Sequence, residues 1–302
     1  MRPEEKVLQE LIDHIEGSIN TFGKRMPGVQ EDVFNTVLDL TGDLETSNGR
    51  IKPSVKNIKI ISKIKAELNK VIFNNEYDAE LQKLIKSYDE ITKLQNQYFS
   101  TIVGRFTVPT VLKEVQNLAI EGLVDAMGRE AISANFVSPI RDILVKNVTT
   151  GGSKKEFIQQ ARDYILGTKD VDGKLVKYTG QIVTDALNQY SANYSQIISD
   201  DLGFEWFAYV GSLKETSREF CKVLAEDPCV RYFHISQFDE IISGKICGRQ
   251  LPLYDVTGLP YGLMPGTNAA NFRILRGGYR CNHQIGPVSS AIVPKELRAK
   301  FE

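Results

Sequence analysis

No stretch of this 302-residue chain approaches the roughly 18 consecutive apolar residues that a membrane-spanning helix needs, so no membrane partner is expected. The segment MRPEEKVLQELIDHIEG lacks the uninterrupted apolar region of a secretory signal, which predicts a protein made and kept in the cytoplasm until something larger carries it out. Phosphate-cradling GxxxxGK[ST] and GxGxxG patterns are absent, and nucleotide hydrolysis has no support without them. Charge of one sign is missing too. With 37 basic against 38 acidic residues, no long-range field draws in DNA or an anionic membrane, and any nucleic-acid contact must be local. Cysteine is scarce at four residues, none of them in a Cys-x-x-Cys pair, whereas structural zinc sites usually carry one.

A hydrophobic share of 42% beside 25% charged residues is enough to fold. Helical periodicity dominates the first hundred residues. Val7, Leu8, Leu11, Ile12, Ile15 and Ile19 draw one apolar stripe. Val55, Ile58, Ile61, Ile64, Leu68, Val71 and Ile72 draw a second, with Pro53 suited to the first turn. Leu81, Leu84, Ile85, Tyr88, Ile91 and Leu94 form a third. Such stripes bury against a core or a partner helix. From Phe106 to about Thr168 the pattern is still helical but is punctuated by Pro109 and Pro139, and Ser153 caps a helix through Ile158, Ala161, Tyr164 and Ile165. After the turn VDGK, one long helix places Ile182, Val183, Ala186, Leu187, Tyr190, Tyr194, Ile197 and Ile198 on one face and Gln181, Asp185, Gln189 and Ser195 on the other. Gly203 stops it. FEWFAYVGS, with the single Trp206, reads as a strand, and HISQFDEIISGK as a short helix. The expected fold is mainly α, a helical N-terminal region followed by a small α+β C-terminal domain with long cross-tied loops. Its segments are a helical region 1–105, a helical connecting region 106–172 and a C-terminal domain 173–302.

The chemistry-bearing residues gather near the end. Cys221, Cys229, Cys247 and Cys281 all lie there, with His234 and His283. Cys281 and His283 can supply two ligands of a zinc ion, with Cys221 and one of Cys229, Cys247 or His234 completing a tetrahedron; zinc would stiffen a Gly/Pro-rich region that lacks a core. Scattered buried thiols, or a disulfide from Cys221 to Cys281, are the alternatives, and the cytosol disfavours a disulfide. A nucleophilic Cys221 with His234 or His283 as base would need a proximity that sequence does not reveal. Arg218, Arg276 and Arg280 suit phosphate, but Glu215, Glu219, Glu226 and Asp227 beside them suit an internally paired face. No pair of carboxylates has catalytic spacing.

The order of the helix YTGQIVTDALNQYSANYSQ, then LGFEWFAYVGSLKETSREFC, a loop, and GGYRCNHQIGPV resembles the C-terminal domain of MuF-like phage head morphogenesis proteins, over about Lys177 to Val288. Thr216, Arg218, Cys221, Cys281, Pro287 and Val288 occupy the matching places. The helical N-terminal half is similar in style to minor structural proteins from phages of Bacteroidetes hosts. Two departures stand out: Cys229 is the nearest counterpart of the family's second cysteine, and Cys281 precedes His283 where the family places a histidine ahead of Cys-x-Cys. The resemblance implies a non-enzymatic virion protein, present in few copies or as a ring-associated oligomer at the portal vertex. It would contact the portal protein, the major capsid protein and packaged DNA, and act in head assembly and in DNA retention or ejection. Two other function classes stand beside it: a cysteine- or zinc-dependent enzyme delivered with the phage DNA, and an ejected DNA-binding protein.

Overall fold

Three- and four-residue apolar spacing becomes helix along most of the chain. The computed structural model describes residues 2–227, 230–255 and 257–301. Its helices begin with α1 (Pro3–Gly23) and α2 (Met26–Gly42), which a small hairpin of β1 (Thr46–Ser47) and β2 (Arg50–Ile51) separates from α3 (Val55–Ile72). There follow α4 (Asn75–Val103), α5 (Val111–Met127), α6 (Arg129–Ile132), a π turn at Ser133–Val137, α7 (Ser138–Thr149) and α8 (Lys154–Ile165). A second hairpin, β3 (Gly167–Thr168) and β4 (Val171–Asp172), leads into α9 (Lys174–Asp201). The α+β part contains β5 (Trp206–Val210), α10 (Glu219–Glu226), β6 (Phe233–His234), α11 (Phe238–Ile242), the hairpin β7 (Lys245–Ile246) and β8 (Arg249–Gln250), α12 (Phe272–Leu275), β9 (Gln284–Pro287) and α13 (Lys295–Arg298). The expected fold class, mainly α with a small α+β C-terminal part, is the one observed.

Contacts gather into two compact units interleaved along the chain. One comprises Met1–Ser18, Lys86–Ile120 and Thr184–Glu302; the other comprises Ile19–Ile85 and Glu121–Val183. This partition differs from the segments 1–105, 106–172 and 173–302, because α1, α4, α5 and α9 each run from one unit into the other. The periodicity of a single helix carries no sign of such a crossing.

In the second unit, α2, α3, α7 and α8 pack around Val33, Val37, Ile64, Leu68, Leu144, Phe157 and Ala161. Ser153 caps α8 as expected, its hydroxyl accepting from the Glu156 amide. At the start of α3 the expectation changes. Ser54 is the cap, so Pro53 precedes the helix instead of opening it, and Val55 and Ile58 are 71% and 57% exposed. The inward position of the first turn belongs to Asn57, which is fully buried. Its Oδ1 accepts from the Glu45 amide at 2.9 Å, and its Nδ2 donates to the carbonyls of Glu45 at 3.0 Å and Lys52 at 2.7 Å. Three hydrogen bonds that tie both ends of the hairpin loop to α3, one of them to the Glu45 amide, outweigh the burial of one more aliphatic side chain.

In the first unit a three-stranded antiparallel sheet has the order β6-β5-β9. Trp206 lies opposite His234, Phe207 opposite both Phe233 and Pro287, and Tyr209 opposite Ile285. Side chains alternate along β5. Phe207 and Tyr209 enter the main core with Phe220, Leu224, Phe238 and Phe272, while Trp206 enters a smaller cluster with Val288 and Val293. Gly203 ends α9 at φ +68°. The α9 helix itself is not one-sided: Thr184, Asn188, Ser191, Ser195 and Ser199 are all buried, including Ser195, which was expected on the outer face. Small polar residues can occupy a buried stripe because their groups bond back to the helix, as Asn188 does to the Thr184 carbonyl at 2.9 Å and Ser199 to that of Ser195 at 2.6 Å.

Asn57→Ala is predicted to lower stability by about 2 kcal/mol, because it leaves the Glu45 amide N–H without its acceptor and removes a second donor from the Glu45 and Lys52 carbonyls. Urea unfolding of the variant checks this; a loss below about 1 kcal/mol would show that Asn57 does not fix the loop.

Candidate functional site

The clustered residues come from three places in the first unit. Central strand β5 presents Tyr209, the first turns of α10 present Cys221, and the segment from α12 to β9 presents Arg276, Gly277, Cys281 and His283. The ligand atoms of Cys221, Cys281 and His283 lie within 4.8 Å of one another, and all three residues are buried. Tyr209 donates its hydroxyl to Cys221 Sγ at 3.3 Å and lies 3.6 Å from Cys281 Sγ, which is itself 3.6 Å from His283 Nδ1. The imidazole stacks on the Tyr209 ring at 5.0 Å, and its other side rests on Gly211, where a Cβ would come within 2.9 Å of the ring.

Gly277 leaves the space into which these groups point. A Cβ there would lie 2.8 Å from both Cys221 Sγ and Tyr209 Oη, and closer still to Cys281 Sγ. The segment enclosing it is held by Arg218, which donates to the carbonyls of Gly277 at 2.8 Å and Tyr279 at 2.7 Å. Gly278 turns the chain at φ +84°, a conformation suited to glycine. Arg280 also has a positive φ, +57°, and its amide donates to Asp185 Oδ1 at 2.7 Å.

Beneath the cluster lies Arg276, 1% exposed. Its Nε donates to the His283 carbonyl, Nη1 to the Ile274 carbonyl at 3.1 Å, and Nη2 to Asn188 Oδ1 at 3.2 Å and the Asn188 carbonyl at 3.3 Å. None of these partners is charged. Burial lowers the guanidinium pKa, while nearby Cys281 chiefly offsets that loss. Cys281 is held well below the usual thiol range, first by the hydrogen bond from Cys221, then by His283 and the charge of Arg276, against its own burial. Cys221 moves the opposite way, as the thiol that donates to Cys281 and as a buried group. Burial raises Tyr209 and keeps it a neutral donor. The surroundings thus favour the charged form at Cys281 and the neutral form at Cys221, with a buried cation beside them.

These residues fit a thiophilic metal. Two sulfurs and one imidazole nitrogen, all within 4.8 Å of one another, match a tetrahedral zinc site in donor type and reach. His283 Nε2 is buried with no partner of its own. The other expected members do not join. Cys247 is disulfide-bonded, so its sulfur is not available as a thiolate ligand, and Cys229 lies outside the described residues. His234 sits opposite Trp206, across the sheet from Tyr209, because the two-residue strand period sends Trp206 and Tyr209 to opposite faces. There it caps the turn at Ile235–Gln237. Arg218 is spent on backbone carbonyls and not on a phosphate track. Asn188 and Tyr209 escaped the sequence reading; a buried-polar stripe on α9 was the available signal for the first, and nothing local marked the second.

Gly277→Ala is predicted to cost about 3 kcal/mol through overpacking against both sulfurs, whereas Gly17→Ala in α1, where a Cβ meets nothing within 4 Å, should be neutral or stabilising; thermal unfolding of the pair decides it. In the metal-free chain, the depressed Cys281 pKa contributes stability that is fully present above the unfolded thiol value of about 8.5. That contribution is lost as pH falls through the folded value, so stability should decline from about pH 8.5 downward, and Cys281→Ser should remove that part of the slope in urea midpoints. An unchanged slope would mean that Cys281 is not ionised. Comparison of the chain with family models, curated proteins and solved structures finds no match, so the reading of this cluster rests on its geometry and on the resemblance of the segments that form it.

Proposed function

We propose that the protein is a structural virion protein of a tailed phage, a minor head protein at the portal vertex that acts in head assembly and in DNA retention or ejection. One observation carries the reading against an enzyme: Cys221, Cys281 and His283 are 2%, 7% and 4% exposed, and they tie β5, α10 and the 272–288 segment together. A nucleophile must reach a substrate, whereas a clasp must be closed. The MuF-like order of the segments supplies the rest. On this reading the portal and major capsid proteins are the protein partners and packaged DNA a further one, with the chain present in few copies or as a ring-associated oligomer.

The clasp is a zinc site held by Cys221, Cys281 and His283. Zinc bonds would add rigidity to the long Gly/Pro-rich loops, which have little regular secondary structure of their own. A cysteine-dependent enzyme delivered with the DNA is the second reading, favoured by the depressed Cys281 pKa beside an imidazole.

Purified protein should carry about one zinc per chain, as expected for a single structural site, and Cys221→Ser should lose it; elemental analysis measures both. In phage carrying Cys221→Ser, heads should lack the protein while no hydrolytic turnover is lost. Turnover abolished by Cys281→Ser or Cys221→Ser with normal incorporation into heads would overturn the structural reading.

A further inference from the structure

Charge is unevenly spread over this near-neutral chain. From Arg50 to Ile72 the sequence RIKPSVKNIKIISKIKAELNKVI holds seven basic residues and one acid, Glu67. All seven basic residues are exposed. Lys70 pairs with Glu67 at 2.8 Å, whereas Lys52, Lys56, Lys59, Lys63 and Lys65 form no ion pair among the described residues. The lysines of α4 are placed differently, with Lys83 and Lys93 each bonded to a glutamate one turn away at 2.8 Å.

At about 100° per residue, Lys56, Lys59, Lys63 and Lys70 fall on one face of α3, in a row about 21 Å long. The opposite face buries Asn57, Ile64, Leu68 and Ile72 and packs against α2 and α7. Such a row works against the helix that carries it. Lys59 has like charges three residues before it and four after it, and the first turn contains Lys56 but no acid to meet the helix dipole. An external line of negative charge relieves both.

The composition of the face selects among polyanions. A membrane-surface helix needs its apolar face free to enter the lipid boundary, but that of α3 is buried in the protein, leaving Val55 and Ile58 as its exposed large apolar side chains. Protein interfaces are depleted in lysine and anchored by aromatic residues and arginine, and single-stranded nucleic acids stack their bases on aromatic rings. From Val55 to Ile72 there is neither an aromatic residue nor an arginine. Lysines on flexible stems instead meet phosphates as point charges without reading bases.

We propose that the lysine row of α3 binds the phosphate backbone of double-stranded DNA without sequence preference. Packaged DNA is a partner under the head-protein reading, on which this assignment rests for the identity of the polyanion; α3 supplies the surface.

Full-length protein is titrated into a fluorescein-labelled duplex of about 30 base pairs while anisotropy is followed between about 50 and about 200 mM salt. Binding should be saturable, with a log–log salt slope of about −4 for four phosphate contacts. The triple variant Lys56→Gln, Lys59→Gln, Lys63→Gln, which retains helix propensity, should bind at least about tenfold more weakly near 100 mM salt and have a slope flatter by about 3. A control triple variant on α4, Lys83→Gln, Lys86→Gln, Lys93→Gln, removes the same charge and should change affinity by no more than about twofold. All six substituted side chains are exposed, and far-ultraviolet circular dichroism confirms that both variants fold. Absence of saturable duplex binding, unchanged binding by the α3 variant, or equal weakening by the α4 variant overturns the proposal. So does tighter lysine-dependent binding to phosphatidylserine vesicles than to the duplex. The titration needs no phage heads, so such a result strikes the α3 surface while incorporation into heads still judges the head-protein reading.

Discussion

The enclosed guanidinium of Arg276 is the constraint around which the α+β part is arranged. A permanently charged group with almost no solvent exposure must have acceptors on every edge. They come from near and far in the chain: the adjacent Ile274 carbonyl, the His283 carbonyl at the start of β9, and both oxygens of Asn188 on α9. Satisfying this one side chain fixes the start of β9 against α9 and places Cys281 and His283 beside β5. Cys281, held below the usual thiol range in part by Arg276, then gives the cation a favourable neighbour where no carboxylate stands at contact distance.

Other features answer to the same arrangement. Gly277 must lack a side chain because the sulfurs and the Tyr209 hydroxyl occupy the space a Cβ would need. Arg218 holds the same loop from outside through two carbonyls. Asn188 can face Arg276 because α9 buries a stripe of small polar residues, and Gln95 from α4 reinforces that stripe by donating to the Ser191 carbonyl at 3.0 Å and hydroxyl at 2.9 Å. Removing one member of such a buried network leaves its partners buried and unpaired, so its members act together.

The two faces of the small sheet consequently serve different chemistry. Tyr209 faces a closed cluster of sulfur and imidazole, and Trp206 faces a cavity lined by Glu205, His234 and Arg298. The strand period of two separates them within three residues. This separation explains how two histidines close in sequence to the same cysteines come to different ends: His283 enters the cluster, and His234 lines the cavity.

Most helices were legible because helix formation and termination are local: the spacing of Leu11, Ile12 and Ile15, the cap at Ser153 and the stop at Gly203 each act within a few residues. The strand at Trp206–Val210 was legible for the same reason, from its run of aromatic and β-branched residues. The gathering of Cys221, Cys281 and His283 was suggested by the order of the segments, but composition and spacing left Cys229, Cys247 and His234 as equal candidates. Only the tertiary structure decided among those it describes, by strand alternation for His234 and by a disulfide for Cys247. It also decided that Asn57 displaces Val55 and Ile58 from the core, that α9 is buried on its polar side, and that Arg276 lies inside. Each of these outcomes depends on whether a buried polar group finds its partners in the folded chain, and a sequence period records which residues share a face without recording what that face will meet.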